Sequence, residues 1–471
     1  MTAVRRLGPL VALGALVVLL RVPFVGSIGP DEGGYAYVAW RWAHGHALYD
    51  PTWIDRPQGL ILVYRLVLAV ADDARALRVA AIAAAAAIAL LLVAAGRTAG
   101  PHAGVLAAGL FATAGLAPHL EGFTLNGELV AAVPATAAVA VALASYERGS
   151  RRLLMLAALL GSTAMLMKQS GFDGLAVVLA VAWAGARPRA RVGRLALTAA
   201  AAAPPIAASA IAGAIGGWSA YWSSVVTSHV EATDPHVRAS HLAASAPAAA
   251  RDLLPLAGVA ALGAWRARRE AGPPRFALVW LAAAVVGVNV GGLYWPHYYV
   301  QLVPPLCLLG AIGLARLRDP RLAWGLAAVV ALPAVIFVVR VVHAPEQRRD
   351  TMVKYALAFE NDRHIARYVD AHTSPSDPVY AFVSRADFYF LARRAAAFPY
   401  LWGHPLRAIP GALTALQRTL AAPRRPKLVV LFQRRPLRRH PELQLLFQRY
   451  YRLVWRAPGT GTPVLAAVDR R

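Results

Sequence analysis

A succession of long apolar runs separated by short arginine-rich segments is the feature that most restricts what this chain can fold into. The first run covers residues 8–24, and similar runs recur until residue 342. A transmembrane helix needs about 20 mostly apolar residues. Hydrophobic residues make up 58% of the 471-residue chain, and its mean hydropathy is +0.48. This composition excludes an ordinary water-soluble protein and predicts an α-helical polytopic membrane protein.

The formal net charge of +25 comes almost entirely from arginine, because Lys168, Lys354 and Lys427 are the only lysines. The arginines concentrate between the apolar runs, where the positive-inside rule places them, so we expect no nucleic-acid partner. The alanine- and arginine-rich usage indicates a GC-rich bacterial genome, and we therefore expect a bacterial plasma-membrane protein. The single cysteine, Cys307, excludes an intramolecular disulfide and argues against thiolate metal sites.

The arginine clusters also predict the topology. Arg5 and Arg6 precede the first run, and no convincing cleavage site follows it, so we expect a retained signal anchor with a cytoplasmic N-terminus. The short apolar run at residues 58–70 favours an interfacial helix within a first external loop, residues 25–74. The eleven expected spans cover residues 8–24, 75–95, 102–118, 128–145, 153–167, 172–186, 195–215, 247–264, 276–293, 300–315 and 322–342.

After residue 342 the sequence becomes polar, arginine-rich and mixed in periodicity. The patterns predict strands at residues 377–383 and 427–432 and helices at residues 358–371 and 408–420. We therefore divide the chain into a transmembrane domain, residues 1–342, and a small α/β domain, residues 343–471. The odd number of spans places this second domain outside the cytoplasm.

Two adjacent carboxylates, Asp31 and Glu32, follow the first span directly. They could belong to a solvated loop or cap a following helix. Acidic side chains close to hydrocarbon are costly, however, and are usually functional. A carboxylate can accept the proton of an attacking hydroxyl, and aromatic faces bind sugar rings. The aromatic residues Tyr35, Tyr37, Trp40 and Trp42 come next, before the triplet Asp55-Arg56-Pro57.

This arrangement resembles the GT-C glycosyltransferases, in the branch of the protein O-mannosyltransferases and the lipid A aminoarabinose transferases. The likeness rests on Asp31-Glu32 after the first span, Tyr35 three residues after Glu32, and Arg56-Pro57 before the next apolar segment. It extends to the many spans, the large first external loop and the C-terminal external domain. Arg56 stands where the family has lysine, which keeps the charge and allows a bidentate grip on phosphate.

The resemblance implies further site residues. Asp31 becomes the candidate base, with Glu32 beside it, and Glu128 fits an acidic position of the family with Asn126 next to it. Glu128 could equally stabilise a helix N-terminus. Lys168 could contact the carrier phosphate, or its side chain could simply snorkel to the membrane surface. His297 and Tyr298 could hydrogen-bond the same phosphate, or belong to an interfacial aromatic belt. The expected catalytic residues are Asp31, Glu32 and Glu128. The expected substrate-binding residues are Tyr35, Asp55, Arg56, Asn126, Lys168, His297 and Tyr298.

The sequence alone does not decide whether the site binds a metal ion. Two or three carboxylates could bind Mg²⁺ or Mn²⁺, but the family is mixed in its use of metals. His229, Asp234 and His236 have ligand-type side chains without tight ligand spacing. The segment Ser384–Phe390 with Arg393-Arg394 resembles the family's external domain, where it would serve acceptor recognition or stability.

The resemblance implies an inverting enzyme that moves a sugar from a polyprenyl-phosphate donor to a glycan, lipid or protein acceptor of the cell envelope at the outer face of the membrane. A transporter or flippase for lipid-linked sugars is the main alternative. Transporters often contain paired repeats with broken helices at the midplane, whereas this chain collects its polar residues at one face. A non-catalytic scaffold on the same fold is the other alternative.

Overall fold

The structure, a computed structural model, describes residues 2–100, 102–228, 235–270, 272–290, 292–382, 385–433, 437–438 and 440–468. Thirteen helices of the described residues precede residue 344, and short 3₁₀ segments adjoin several of them. They are α1 Thr2–Arg21, α2 Pro30–Ala43, α3 Gln58–Val70, α4 Ala74–Arg97, α5 Ala103–Ala114, α6 Gly127–Arg148, α7 Arg151–Met165, α8 Asp173–Ala184, α9 Arg191–Trp222, α10 Pro235–Ala267, α11 Pro273–Val290, α12 Val303–Leu314 and α13 Pro320–His343.

Each of the eleven expected spans overlaps one of these helices, and the two helices left over are α2 and α3. Among the described residues, six helical stretches are long and apolar enough to cross a membrane. They are Ala74–Arg97, Gly127–Arg148, Pro188–Thr227, Pro273–Val290, Pro296–Leu314 and Pro320–His343. Four more apolar helices, including α3, are shorter. The polytopic α-helical class is therefore confirmed, and the count of eleven spans stays a prediction.

The C-terminal domain is a four-stranded sheet flanked by helices. Its elements are α14 Glu346–Met352, α15 Ala356–His372, β1 Val379–Phe382, α16 Ala386–Ala392, α17 Pro405–Ala408, α18 Ala412–Ala421, β2 Leu428–Leu431, α19 Pro441–Tyr450, β3 Tyr451–Arg456 and β4 Pro463–Ala467. The strand order is β1-β2-β4-β3, with β1 parallel to β2 and the other pairs antiparallel. The two predicted strands and two predicted helices are present as β1, β2, α15 and α18.

Helix α16 of the C-terminal domain packs on α2 in the first loop. Two glycines make this close approach possible, since a Cβ on Gly33 would lie 2.3 Å from Asp387 Cα and one on Gly34 would lie 2.4 Å from Trp402. Ala396 N–H also donates a 2.8 Å hydrogen bond to the Tyr37 hydroxyl. The two glycines that follow Asp31 and Glu32 therefore allow the C-terminal domain to pack closely on the loop that carries this acidic pair.

Candidate active site

A cavity of about 380 Å³ lies between the first loop, the segment before α12 and the C-terminal domain. Six of the ten expected site residues line it, namely Asp31, Tyr35, Asp55, Arg56, His297 and Tyr298. Trp53, Trp295 and Trp402 add aromatic surface to the wall. The cavity therefore combines carboxylates, cations and aromatic faces, which are the groups that a sugar phosphate would contact.

Asp31 lies in the first turn of α2, and its side chain is 38% exposed, facing the cavity. Trp402 Nε1–H donates a 2.8 Å hydrogen bond to its Oδ1, and His297 Nε2 lies 4.0 Å from its Oδ2. Burial raises the pKa of Asp31 above its usual value, while His297, Arg56 and the Trp402 hydrogen bond work against that rise. A carboxylate with a raised pKa is better matched to proton transfer near neutral pH.

Glu32 points away from the cavity into the protein. Its Oε2 accepts a 3.0 Å hydrogen bond from Gly29 N–H, and its Oε1 accepts one of 2.8 Å from Leu125 N–H. The Arg78 guanidinium lies 3.0 Å from the same carboxylate, and both side chains are almost fully buried. Glu32 thus caps α2 and connects this helix to the loop before α6. Helix capping was one of the two alternatives for the acidic pair in the sequence analysis.

Two ion pairs lie close to Asp31. Arg56 Nη1 lies 2.7 Å from Asp55 Oδ2, and Lys168 forms an ion pair with Glu128 behind the cavity lining. Lys168 Nζ sits 3.7 Å from the centre of the Tyr298 ring. His297 Nε2 lies 3.9 Å from Glu128 Oε1, so it is close to the carboxylates on both sides of it.

Asn126 lies outside the cavity lining and acts as the N-cap of α6. Its Oδ1 accepts a 2.8 Å hydrogen bond from Leu129 N–H, and its Nδ2 donates to Glu121 O and Thr124 Oγ1. Asn126 therefore fixes the start of the helix whose first turn carries Glu128. Of the ten expected residues, Glu32, Asn126, Glu128 and Lys168 surround the cavity without lining it.

Several cavity residues were not among those expected from the sequence. Lys354 forms an ion pair with Glu121, and the Tyr355 hydroxyl donates a 3.3 Å hydrogen bond to the same carboxylate. Trp402 and Arg407 reach the cavity from the C-terminal domain. One available signal was overlooked: Lys354 is one of only three lysines in the chain.

The described residues contain no group of three or more His, Cys, Asp or Glu side chains placed to hold a metal ion. The residues present also fit a divalent cation poorly, because Glu128 is paired with Lys168 and Asp31 accepts from Trp402. His229 and Asp234 lie outside the described residues, and so does Ser384 of the segment assigned to the external domain.

Comparison with solved structures identifies the fold. ArnT from Cupriavidus metallidurans in the apo state aligns over 99% of this chain and 99% of its own, with a TM-score of 0.67 and 15% identity. The same protein bound to undecaprenyl phosphate aligns over 98% of this chain and 97% of its own, with a TM-score of 0.64 and 17% identity. The likeness to ArnT confirms the GT-C-type fold expected from the sequence.

A third match, the arabinofuranosyltransferase AftD from Mycobacteria, covers 98% of this chain and 41% of AftD, with a TM-score of 0.56 and 15% identity. No family model matches the sequence, and no curated protein matches it either. At sequence identities of 15–17% the likeness shows the fold alone.

Proposed function

We propose that this protein is a membrane glycosyltransferase that moves a sugar from a polyprenyl-phosphate donor to an envelope acceptor. The observation that carries the proposal is a partly exposed carboxylate, Asp31, facing an aromatic cavity that also holds Arg56 and His297. A base and a cationic phosphate site in one cavity are what transfer from a sugar phosphate to a hydroxyl requires. The fold of ArnT, which has been solved with bound undecaprenyl phosphate, supports a lipid-linked donor.

The reaction follows from the placement of these groups. Asp31 takes the proton of the acceptor hydroxyl, and the resulting oxygen attacks the anomeric carbon of the donor sugar. The bond between that carbon and the phosphate oxygen breaks, so the electron pair leaves with the polyprenyl phosphate. Attack opposite the leaving group inverts the anomeric centre, as the GT-C resemblance implies.

Arg56 stabilises the negative charge that grows on the departing phosphate, because its guanidinium is buried and fixed beside the cavity by Asp55. His297 lies between Asp31 and the Lys168–Glu128 pair and connects the base to that ion pair. Since the cations are already in place, the mechanism assigns no step to Mg²⁺ or Mn²⁺. We therefore expect transfer to continue in the presence of a chelator.

The donor and acceptor sites belong at the outer face of the plasma membrane, with the N-terminus in the cytoplasm and the C-terminal domain outside. In this arrangement the lipid of the donor lies among membrane lipids against the helices. The acceptor is a glycan, lipid or protein of the envelope that offers a free hydroxyl.

Purified full-length protein in lipid nanodiscs tests the donor class. With an envelope extract as the acceptor, we expect a panel of polyprenyl-phosphate sugars to include a substrate that releases polyprenyl phosphate, while nucleotide sugars of the same panel stay intact. Efficient use of a nucleotide sugar without lipid carrier would contradict the proposal. Movement of intact lipid-linked sugar across sealed liposomes without cleavage would favour a flippase instead.

A further inference from the structure

A second cavity, of about 640 Å³, lies between the segment that leaves α13 and the C-terminal domain. Lys354 and Tyr355 line both this cavity and the catalytic cavity. These two residues are therefore the partition between the two spaces. A molecule held in the second cavity would have one end close to Asp31 if it extended past the partition.

Contacts with Glu121 and Gly29 hold the partition in place. Lys354 is ion-paired with Glu121, and the Tyr355 hydroxyl donates to the same carboxylate. Tyr355 has a φ of +73°, and Gly29 leaves room for its ring, since a Cβ there would lie 2.9 Å from Cδ2 of the tyrosine. The Gly29 that begins the acidic segment thus connects the catalytic loop to the wall of the second cavity.

One part of the lining of the second cavity is polar and uncharged. Its hydroxyl and amide side chains belong to Thr351, Asn361, Gln433, Thr460 and Thr462. Such groups can both donate and accept hydrogen bonds. The Phe432 ring and the Tyr355 ring add apolar faces. Hydrogen-bonding groups interspersed with aromatic faces match a molecule that itself alternates hydroxyl groups with apolar ring faces.

At this lining the carboxylates outnumber the cations, which argues against an anionic ligand. Arg385 lies 2.9 Å from Asp387 and also forms an ion pair with Asp362, and both carboxylates are fully buried. Lys354 is paired with Glu121. Asp350, which also lines the cavity, adds negative charge and would repel a phosphate or carboxylate.

From these observations we propose that the second cavity is the acceptor subsite and that it binds a neutral saccharide chain. The end of that chain passes Lys354 and Tyr355, so that one of its hydroxyl groups reaches Asp31. This inference rests on the proposed glycosyltransferase function and narrows its acceptor to a neutral glycan.

Thiol protection tests the subsite without requiring catalysis. The sole native cysteine, Cys307, is buried, so Thr351→Cys in the full-length protein provides one exposed thiol at the cavity. We expect the neutral oligosaccharide fraction released from the host envelope to slow its reaction with a maleimide at least tenfold. The matched variant Thr414→Cys, exposed in the same domain but outside both cavities, should react at an unchanged rate.

Two outcomes of this labelling overturn the inference. Absence of protection by the neutral fraction at millimolar concentration means that the cavity does not bind a saccharide. Protection by an anionic lipid fraction or a peptide fraction, in place of the neutral fraction, assigns the cavity to another class of acceptor. Either outcome leaves the release of polyprenyl phosphate intact, whereas failure of the proposed function would abolish that release in the unmodified protein.

Filling the cavity provides a kinetic test. Ala358→Trp adds an indole to the lining, while Ala371→Trp places the same side chain on an exposed position of the same helix, α15. We expect the first variant to raise the KM for the acceptor at least tenfold and to leave donor hydrolysis by water unchanged. An unaltered acceptor KM in folded Ala358→Trp contradicts the subsite. Should that variant not fold, Gln433→Ala, which removes one exposed amide, must raise the same KM.

Discussion

Asp31 and Glu32 are neighbours in the sequence but have opposite surroundings. Asp31 faces the cavity, where Trp402 and His297 are its nearest polar contacts, whereas Glu32 is enclosed by Gly29, Leu125 and Arg78. Because successive helical residues point about 100° apart, a pair at the first turn of α2 can divide two tasks in this way. In the proposed mechanism Asp31 acts as the base, while Glu32 holds the helix that presents it.

The hydrogen bond from Trp402 gives a prediction about pH. It stabilises the ionised form of Asp31 and so lowers a pKa that burial raises. Trp402→Phe removes the donor, and the pKa of Asp31 should rise further. A base must be ionised to act, so the acidic limb of the kcat profile should move to higher pH, with the smallest loss of rate at alkaline pH.

A pH series of kcat on the Trp402→Phe enzyme checks this expectation. Trp324→Phe, at an exposed position of α13, is the matched control and should keep the profile of the unmodified protein. An acidic limb that stays in place, or moves to lower pH, would show that Trp402 does not act on the base.

At the scale of elements, the contact between α2 and α16 determines whether the cavity exists, because the C-terminal domain supplies one wall of it. Gly33→Ala would place a methyl group against the backbone of α16. Overpacking of this kind costs typically about 1–3 kcal/mol. We expect a lower thermal unfolding midpoint, faster proteolysis of the C-terminal domain and reduced turnover.

Gly14→Ala is the control for this substitution, since nothing lies within 4 Å of a Cβ at that position of α1. Alanine is preferred over glycine inside helices, so Gly14→Ala should match or exceed the stability of the unmodified protein. Equal stability of Gly33→Ala and Gly14→Ala would contradict a role of Gly33 in docking the C-terminal domain.

The sequence predicted those elements whose pattern is local. The apolar runs between arginine clusters located eleven of the helices before residue 344, and the valine pair in β2 located a strand. Strands β3 and β4 were missed because β3 is largely exposed and contains arginine, and β4 begins with proline and ends with two alanines, which are poor strand formers. Tyr355 lies 234 residues from Glu121, and Trp402 lies 371 residues from Asp31. Contacts at such separations follow from packing, which no local pattern reveals.

At the scale of the whole molecule, the arginine distribution makes a prediction about orientation. The loop that contains Ala190 should be cytoplasmic, and the C-terminal domain should lie outside. Ala190→Cys and Thr414→Cys are both exposed, and the native Cys307 is buried. In intact cells an impermeant maleimide should label position 414 only, and position 190 should react after lysis. Labelling of both positions from one side would contradict the orientation and move Asp31 from the outer face.

The measurement that tests the central claim most directly is the rate of polyprenyl phosphate release by Asp31→Asn in nanodiscs. Loss of a positioned general base costs about 10²–10⁴-fold in rate. We expect a loss in that range with donor binding retained, because asparagine keeps the size of the side chain and Arg56 is unchanged. Asp50→Asn, an exposed carboxylate of the same loop outside the cavity, should leave the rate unchanged. Near-normal release by Asp31→Asn would contradict the assignment of the base and, with it, the proposed reaction.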